Sequence, residues 1–367
     1  MSTPLPLGPS RTRVAASVAD TGLDERGWNA LAARGTYSVF QTWQWHQAWW
    51  STFGAAYEPL FLTVGGDGPA AGVAPLFVER SASRGRVVRF VGEGRADYCD
   101  LLTGGDWNTV AAIVRGLKDY GRWDVVDLGN IPSRSTTIGM LEAIGHDAGL
   151  NVLVHDHLVC PTLLVRGHET AARRIADKSS LRRRQHYFER RGRLSFRDMR
   201  TSADVQPYLD TFFAQHVERW RTTDTPSLFT DPANRRFYAD LAGRLDGTGW
   251  LFFSAVELDD RPIALHYGFD FDDALVWYKP SFDPQMAAGS PGLVLVRHLI
   301  QRAVDGGRRE LDFTIGDEPF KQRFTNFQRH TVRIQLFRDP ARYVFERSRR
   351  GVIQAVRKAA AKVRNQL

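Results

Sequence analysis

The sequence predicts a mixed α/β (α+β) fold in which one unit of strands and helices is used twice. The first observation is a pair of similar hairpins. Pro59–Val78 reads as two strands around Gly66, Asp67 and Gly68, and Trp250–Phe271 as two strands around Asp259 and Asp260, with Pro69 and Pro262 in matching places. The second is that each hairpin is succeeded by a helix and a buried strand: Trp107–Tyr120 with Trp123–Leu128, then Pro291–Asp305 with Arg308–Phe313. The third is spacing. Pro69 and Asp127 are 58 residues apart and Pro262 and Asp312 are 50 apart, so the halves differ by a loop of eight residues.

The remaining segments connect these halves or come after them. Glu169–Arg191 reads as a strongly basic helix, with further helices at Ala203–Arg219 and Pro232–Leu245 and a loop at Thr222–Pro226. A last strand, Thr331–Phe337, is ended by Asp339-Pro340. The tail then carries Val352, Ile353, Val356, Ala360, Val363 and Leu367 on one helical stripe, with Lys and Arg elsewhere. The expected domains are 1–165, 166–338 and a basic amphipathic helix at 339–367.

Composition narrows the class. The 367 residues are 43% hydrophobic and 25% charged, as in ordinary globular proteins. No run approaches the ~20 apolar residues of a spanning helix, and Met1–Asp20 lacks the apolar core of a signal peptide. Cys99 and Cys160 are the only cysteines, too few for a disulfide framework or a multi-cysteine metal site. A soluble cytoplasmic protein is the expectation. The net charge of +8 is concentrated: Arg342–Leu367 has eight Lys/Arg against Glu346, and Arg166–Arg193 has ten against three acids. Each island is thus +7, and the rest of the chain is −6. An acidic body with two basic islands argues against general nucleic-acid binding.

Several motifs occur in a specific order: "ADYCDLL" (Ala96–Leu102), "SLRRRQHYFERRG" (Ser180–Gly192), "RPIALHYGF" (Arg261–Phe269), "WYKPSFDP" (Trp277–Pro284), "GSPGLVLVRHLI" (Gly289–Ile300) and "LDFTIGDEPFKQRF" (Leu311–Phe324). Together they resemble the GNAT-superfamily acyltransferases of cellulose and exopolysaccharide biosynthesis, the CelD/BcsL-like family, which is related to FemAB-like peptidyltransferases. The resemblance spans Ser38 to Phe337. It implies two tandem GNAT-like domains, each a mostly antiparallel mixed sheet flanked by helices, with acetyl-CoA or another acyl-CoA as co-substrate and an amine acceptor.

Physical reading of the residues supports part of this. A helix N-terminus after a small-residue turn offers unpaired N–H groups and a positive dipole end to a diphosphate. Gln285, Met286, Gly289, Ser290 and Gly292 form such a turn, with Ser290 suited to the N-cap and Pro291 to the first helical position. The turn departs from the usual Q/R-x-x-G-x-G/A signature, because Gln285 and Gly289 are one residue too far apart. His266 alternates with Leu265, Tyr267 and Phe269, and Asp312 with Leu311 and Phe313, so both are candidates for acid–base work in a cleft. A structural hydrogen-bonding role for His266, and a capping role for Asp312, are the alternatives.

The resemblance assigns Lys321 a functional place after Gly316, and charge stabilisation of a phosphate or oxyanion is its expected role. Tyr278, Lys279 and Asp283 are candidates for the acceptor pocket. In the first half, Asp97, Tyr98 and Asp100 match the family's D-Y-x-D element and are expected to hold an amino sugar across a cleft, or else to cap loops. His155 and His157 share a strand face but lack a third ligand at a metal-site spacing, so no metal is expected.

Three functions fit. The leading one is an N-acyltransferase acting on an amine-bearing small molecule or glycolipid in polysaccharide assembly, with the basic tail meeting an anionic membrane surface. The second is a FemAB-like aminoacyl-tRNA-dependent amide transferase, the one case in which nucleic acid would bind. The third is a non-catalytic subunit of an envelope polysaccharide machine.

Overall fold

The computed structural model describes residues 11–65, 70–221 and 226–364, excluding the side chains of residues 11 and 353–364. Residues 1–10, 66–69, 222–225 and 365–367, and the side chains of the tail stripe from Ile353 onward, lie outside the described residues.

In chain order the elements are β1 (Arg11–Ala15), α1 (Glu25–Ala32), α2 (Trp43–Phe53), β2 (Glu58–Gly65), β3 (Gly72–Ser81), β4 (Gly85–Phe90), α3 (Trp107–Tyr120), β5 (Val125–Pro132), α4 (Thr137–Asp147) and β6 (Asn151–Leu164). Next come α5 (Glu169–Ala176), α6 (Ser179–Glu189), β7 (Leu194–Met199), α7 (Ser202–Trp220), α8 (Pro232–Arg244), β8 (Leu251–Leu258), β9 (Arg261–Phe271) and β10 (Ala274–Phe282). The chain ends with α9 (Pro291–Asp305), β11 (Glu310–Asp312), α10 (Pro319–Gln322), β12 (Phe327–Phe337) and α11 (Pro340–Arg364).

Local chemistry sets many of these boundaries. Asp24, Thr42, Asp106, Thr201 and Asp231 cap α1, α2, α3, α7 and α8 by accepting first-turn N–H groups. Two Asp-Asp pairs, Asp259-Asp260 and Asp272-Asp273, take left-handed φ values of 47–64° and make the tight turns of the hairpins β8–β9 and β9–β10. The expected single helix Glu169–Arg191 is instead α5 and α6, broken at Asp177-Lys178, where Arg297 of α9 donates to the Ala176 carbonyl at 3.0 Å.

The chain divides into two compact units. The first comprises Met1–Thr36, Ala56–His157 and Thr331–Leu367; the second comprises Tyr37–Ala55 and Leu158–His330. A boundary read near residue 165 thus falls at 157/158. The segment bearing α2 belongs to the second unit and the last strand to the first, an exchange that linear reading does not display.

In the first unit the strand order is β1-β2-β3-β4-β5-β12, with β12 from Thr331 on, and in the second it is β6-β11-β10-β9-β8-β7, with β6 from Leu158 on. Neighbours are antiparallel except for β4/β5 and β10/β11. Each parallel pair is joined by one crossover helix, α3 or α9, as parallel pairing requires. The anticipated duplication is therefore present as a repeated hairpin–helix–strand order.

The sheet of the second unit is covered on both faces. On one, α9 with α5 and α6 packs Val294, Leu295, Leu299 and Phe188 onto Phe252, Ala264, Leu275 and Trp277. On the other, α2, α7 and α8 bring Trp45, Phe212 and Tyr238 against Tyr267, Phe269 and Tyr278 in mostly edge-to-face ring pairs. Consequently β9 is buried along nearly its whole length and does not show the half-exposed alternation of an open sheet.

Candidate active site

The site begins where two parallel strands separate. Ala274, Leu275 and Val276 of β10 pair with Glu310, Leu311 and Asp312 of β11, and pairing stops there. Past this point β10 is bulged between Val276 and Lys279. The Asp312 carboxylate accepts the Thr314 N–H at 2.8 Å, and the Thr314 hydroxyl, on a residue with φ 54°, donates to the Trp277 carbonyl at 3.1 Å. These bonds brace the fork at its vertex.

Beside the fork lies a cavity of about 190 Å³, lined by Trp277 and Pro280–Phe282 of β10, Ser290–Leu293 and Val296 at the start of α9, Ala287, Phe320 and Arg219. A space of that size takes part of a large co-substrate and not all of it. No lining residue is acidic.

The start of α9 is open to this cavity. Ser290 occupies the N-cap position, but with φ 58° and ψ 60° its side chain makes no capping bond, contrary to the expected role. The helix therefore presents its positive end uncapped by a side chain. At Gly292 an added Cβ would meet Phe282 at 3.7 Å, an ordinary contact, so a small side chain fits there.

The other turn residues build the approach. The Asp283 carboxylate accepts the Gln285 N–H at 2.9 Å and the Arg261 guanidinium at 2.5 Å, and Arg261 also donates to the Gln285 side chain at 3.4 Å. Met286 packs partly against the core, and Gly289 lies so close to α6 that a Cβ would stand 2.3 Å from Phe188. Of the five proposed donor-binding residues, Ser290 and Gly292 line the cavity, while Gln285, Met286 and Gly289 shape the turn.

Arg219, near the end of α7, does not stand out in its sequence context. Its guanidinium donates to the Pro280 carbonyl at 3.2 Å and lies 4.8 Å from the Phe282 ring centroid. Burial pulls its pKa below the usual guanidinium value, against the opposing charge of Glu318. The signal that could have found it is the pair Arg219-Trp220 ending a helix whose buried side begins apolar, at Val205, Leu209, Phe212 and Phe213, and turns polar at Gln215 and His216.

His266 does not open into a cleft. It is 1% exposed, stacks on Trp277 with ring centroids 5.1 Å apart, and its Nε2 accepts the Tyr278 N–H in the β10 bulge at 3.2 Å. Burial lowers its pKa to about 3, so the ring is neutral near pH 7. The face opposite Tyr267 and Phe269 is covered by α9, which explains the difference from a reading by alternation alone. Gly268, two residues on, leaves room for the ring: a Cβ there would stand 2.0 Å from the imidazole.

Lys321 is buried too. Its ammonium donates to the Ile315 carbonyl at 2.7 Å and pairs with Glu318 at 2.9 Å, closing the loop between β11 and α10. Tyr278 sits in the aromatic face, its hydroxyl 2.8 Å from that of Tyr238, and the Lys279 ammonium lies 4.2 Å from the Tyr278 ring centroid.

Asp97, Tyr98 and Asp100 belong to the first unit. Asp100 is 4% exposed and accepts the Thr36 hydroxyl at 2.6 Å and the Leu101 N–H at 2.8 Å. Burial raises its pKa against these bonds and those from Ser135 and Thr137. It forms part of the wall of a cavity of about 380 Å³ that includes Arg34, Gly104, Gly105 and Arg134. In this unit the β4/β5 pairing spans Val87–Val88, and the chain after β4 returns to pair Leu102 with Val73 and to bond the Cys99 N–H to the Asn130 carbonyl. His157 faces Arg333 at 3.0 Å, and burial together with that charge lowers its pKa to about 4. Among the described residues no group of three or more His, Cys, Asp or Glu is placed to hold a metal.

Residues 176–322 match the family model described as acetyltransferase (GNAT) domain. The chain carries a GNAT acyltransferase domain. That domain begins at the end of α5 and ends in α10, so it contains the fork, the cavity, Arg219 and the turn before α9, but not α2. Similar folds occur over most of the chain. FemX aligns with a TM-score of 0.58 at 9% identity, covering 85% of this chain and 96% of that one. A conserved protein of unknown function from Bacteroides thetaiotaomicron gives 0.54 at 12%, covering 86% and 98%. L-PGS from Bacillus licheniformis gives 0.51 at 12%, covering 87% and 93%. At these identities the likeness is one of fold. No curated protein matches the chain in sequence.

Proposed function

We propose that the GNAT domain is an acyl-CoA-dependent N-acyltransferase, with acetyl-CoA as the donor. As the CelD/BcsL-like resemblance implies, the acceptor is the amine of an amino sugar or glycolipid in polysaccharide assembly. The observation that carries the reading is the acid-free cavity at the uncapped N-terminus of α9, beside the parting of β10 and β11. The helix end receives phosphate, and the parting of β10 from β11 past Val276 leaves a space beside it for an extended arm.

In the reaction the neutral amine nitrogen bonds to the acyl carbon, the C–S bond breaks, and the proton lost by nitrogen ends on the departing thiolate. Asp312, His266 and Lys321 serve this site by holding its walls. Asp312 fixes the vertex of the fork, His266 the bulge, and Lys321 the loop leading to α10. Tyr278, Lys279 and Asp283 are the acceptor-binding proposal within the second unit; Asp97, Tyr98 and Asp100 are a separate one within the first.

The test is thermal. Acetyl-CoA should raise the Tm of the full chain, because a ligand that binds only the folded state stabilises it by mass action. Gly292→Val, whose branches would enter the cavity, should keep the parent's Tm without ligand and lose most of the shift. A parent protein that gives no shift with acetyl-CoA at millimolar concentration would sink the reading.

An aminoacyl-tRNA donor is the second reading. It is favoured by α6, where Arg182 and Arg183 are exposed and, among the described residues, have no carboxylate within 4 Å, and by the fold shared with FemX. In that case tRNA, and not acetyl-CoA, shifts the Tm.

A further inference from the structure

We propose that Arg219 binds the diphosphate of the acyl-CoA donor, supplying from α7 the side-chain contact that the irregular turn before α9 lacks. The inference rests on the acyl-CoA reading and goes beyond it by naming an anion-binding residue on a different element.

Arg219 is a half-buried cation that no carboxylate among the described residues approaches within 4 Å; the charge of Glu318 acts on it from further away and is outweighed by burial. A guanidinium withdrawn from water is normally paired, because its desolvation is otherwise uncompensated. Here the Pro280 carbonyl is its one hydrogen-bond acceptor among the described residues, and a guanidinium has five N–H donors. The Phe282 ring on one side and the Trp220 ring, 5.7 Å from the guanidinium carbon, hold the group in place.

The same cavity receives the start of α9, where Ser290 gives no cap and Pro291 has no N–H to offer. Two positive features, a guanidinium and a helix N-terminus, therefore converge on one space whose walls hold no acid. Their combination matches a diphosphate: the planar fork of an arginine takes two oxygens in parallel, and the helix end takes charge along its axis. The Gln285–Gly289 spacing, one residue longer than the usual signature, leaves the turn without the side chain that commonly fills this role.

Isothermal titration of the full-length protein tests the assignment, with CoA, dephospho-CoA and pantetheine as probes and Arg219→Gln and Arg219→Lys as variants. Arg219→Gln should bind CoA and dephospho-CoA more weakly by the same factor, about ten-fold or more for a lost charged contact. It should bind pantetheine, which has no phosphate, as the parent does. Arg219→Lys, which keeps the charge and loses the fork, should fall between. Equal CoA affinity in parent and Arg219→Gln overturns the inference and leaves the acyl-CoA reading standing. A penalty confined to CoA places Arg219 at the 3′-phosphate, and an equal penalty on pantetheine places it at the thioester arm; either overturns the diphosphate assignment. Failure of the parent to bind CoA at all overturns both readings.

Discussion

At the scale of single residues, burial decides what the polar groups can do. The imidazole of His266 has a pKa of about 3 in the folded protein because burial disfavours its charged form, against ~6.5 in an unfolded chain. Between those values the unfolded state binds a proton that the folded state refuses, so stability is fully present above pH ~6.5 and is lost as pH falls toward 3. His216 at about 3 and His46 at about 4 act with the same sign. The Tm should therefore fall between pH 7 and pH 5. In His266→Gln, whose amide oxygen can still accept the Tyr278 N–H, that fall should be shallower; an unchanged slope in the variant contradicts a buried neutral ring. A ring of this pKa is also a poor proton acceptor at neutral pH. The sequence displayed His266 as the polar member of an apolar run, but not the cover over its face. That cover comes from α9, some thirty residues later, and alternation within one strand carries no information about it. Arg219 stayed hidden for the same reason: its role depends on what the cavity does not contain.

At the scale of elements, legibility follows local chemistry. Trp107–Tyr120 and Pro291–Asp305 were readable to the residue because Asp106, Pro291 and the glycine after each helix mark their ends. The break between α5 and α6 was not, since Arg297 of α9 takes the carbonyl that would have continued the helix. Nor was the destination of α2. Trp45 of this helix is fully buried and meets Phe237, Phe269 and Tyr278 in the second unit. Trp45→Ala should cost about 3–5 kcal/mol of stability, as large-to-small changes in cores do, measurable by urea unfolding. Equally, residues 158–338 expressed alone should yield aggregated or molten protein, because Tyr37–Ala55 is missing from their core; adding that segment through a linker should restore a cooperative transition. A sharp unfolding transition from the isolated fragment would contradict this account of the core.

At the scale of the whole molecule, the two basic islands have different settings. The first lies mainly on α5 and α6, where Arg184 bonds to the Ala288 carbonyl and Arg297 ties α9 to Asp177. The second begins docked, since Arg342 bonds to the Arg84 carbonyl and pairs with Asp124, and Glu346 pairs with Arg349 and Arg350. Beyond that point α11 carries Lys and Arg without an acid, and Val352 is exposed, as are Val344 and Phe345 just before Glu346. No helix among the described residues is long and apolar enough to cross a membrane. Reversible attachment to anionic lipid is the proposed use of this tail, at about 1 kcal/mol per basic residue and screened by salt. Sedimentation with phosphatidylglycerol vesicles should be strong at low salt, weak at high salt, and absent from a chain ending at Gly351, which keeps the docked turns. Equal sedimentation of the shortened chain would make α11 a packing element alone.

The exchange of segments between the units has a further consequence for synthesis. The free edge of β5 is paired by β12, and the core of the second unit needs both α2 and the strands that end near residue 330. Neither unit has all its parts until the ribosome has passed residue 330, so an unpaired strand edge and an unsatisfied aromatic helix wait on nascent chain for most of translation. Such intermediates are prone to associate with one another. Yield of folded protein should thus depend on elongation rate and on holdase chaperones more than its final stability would suggest, and pulse-proteolysis of stalled nascent chains should show resistance appearing late and in both units together.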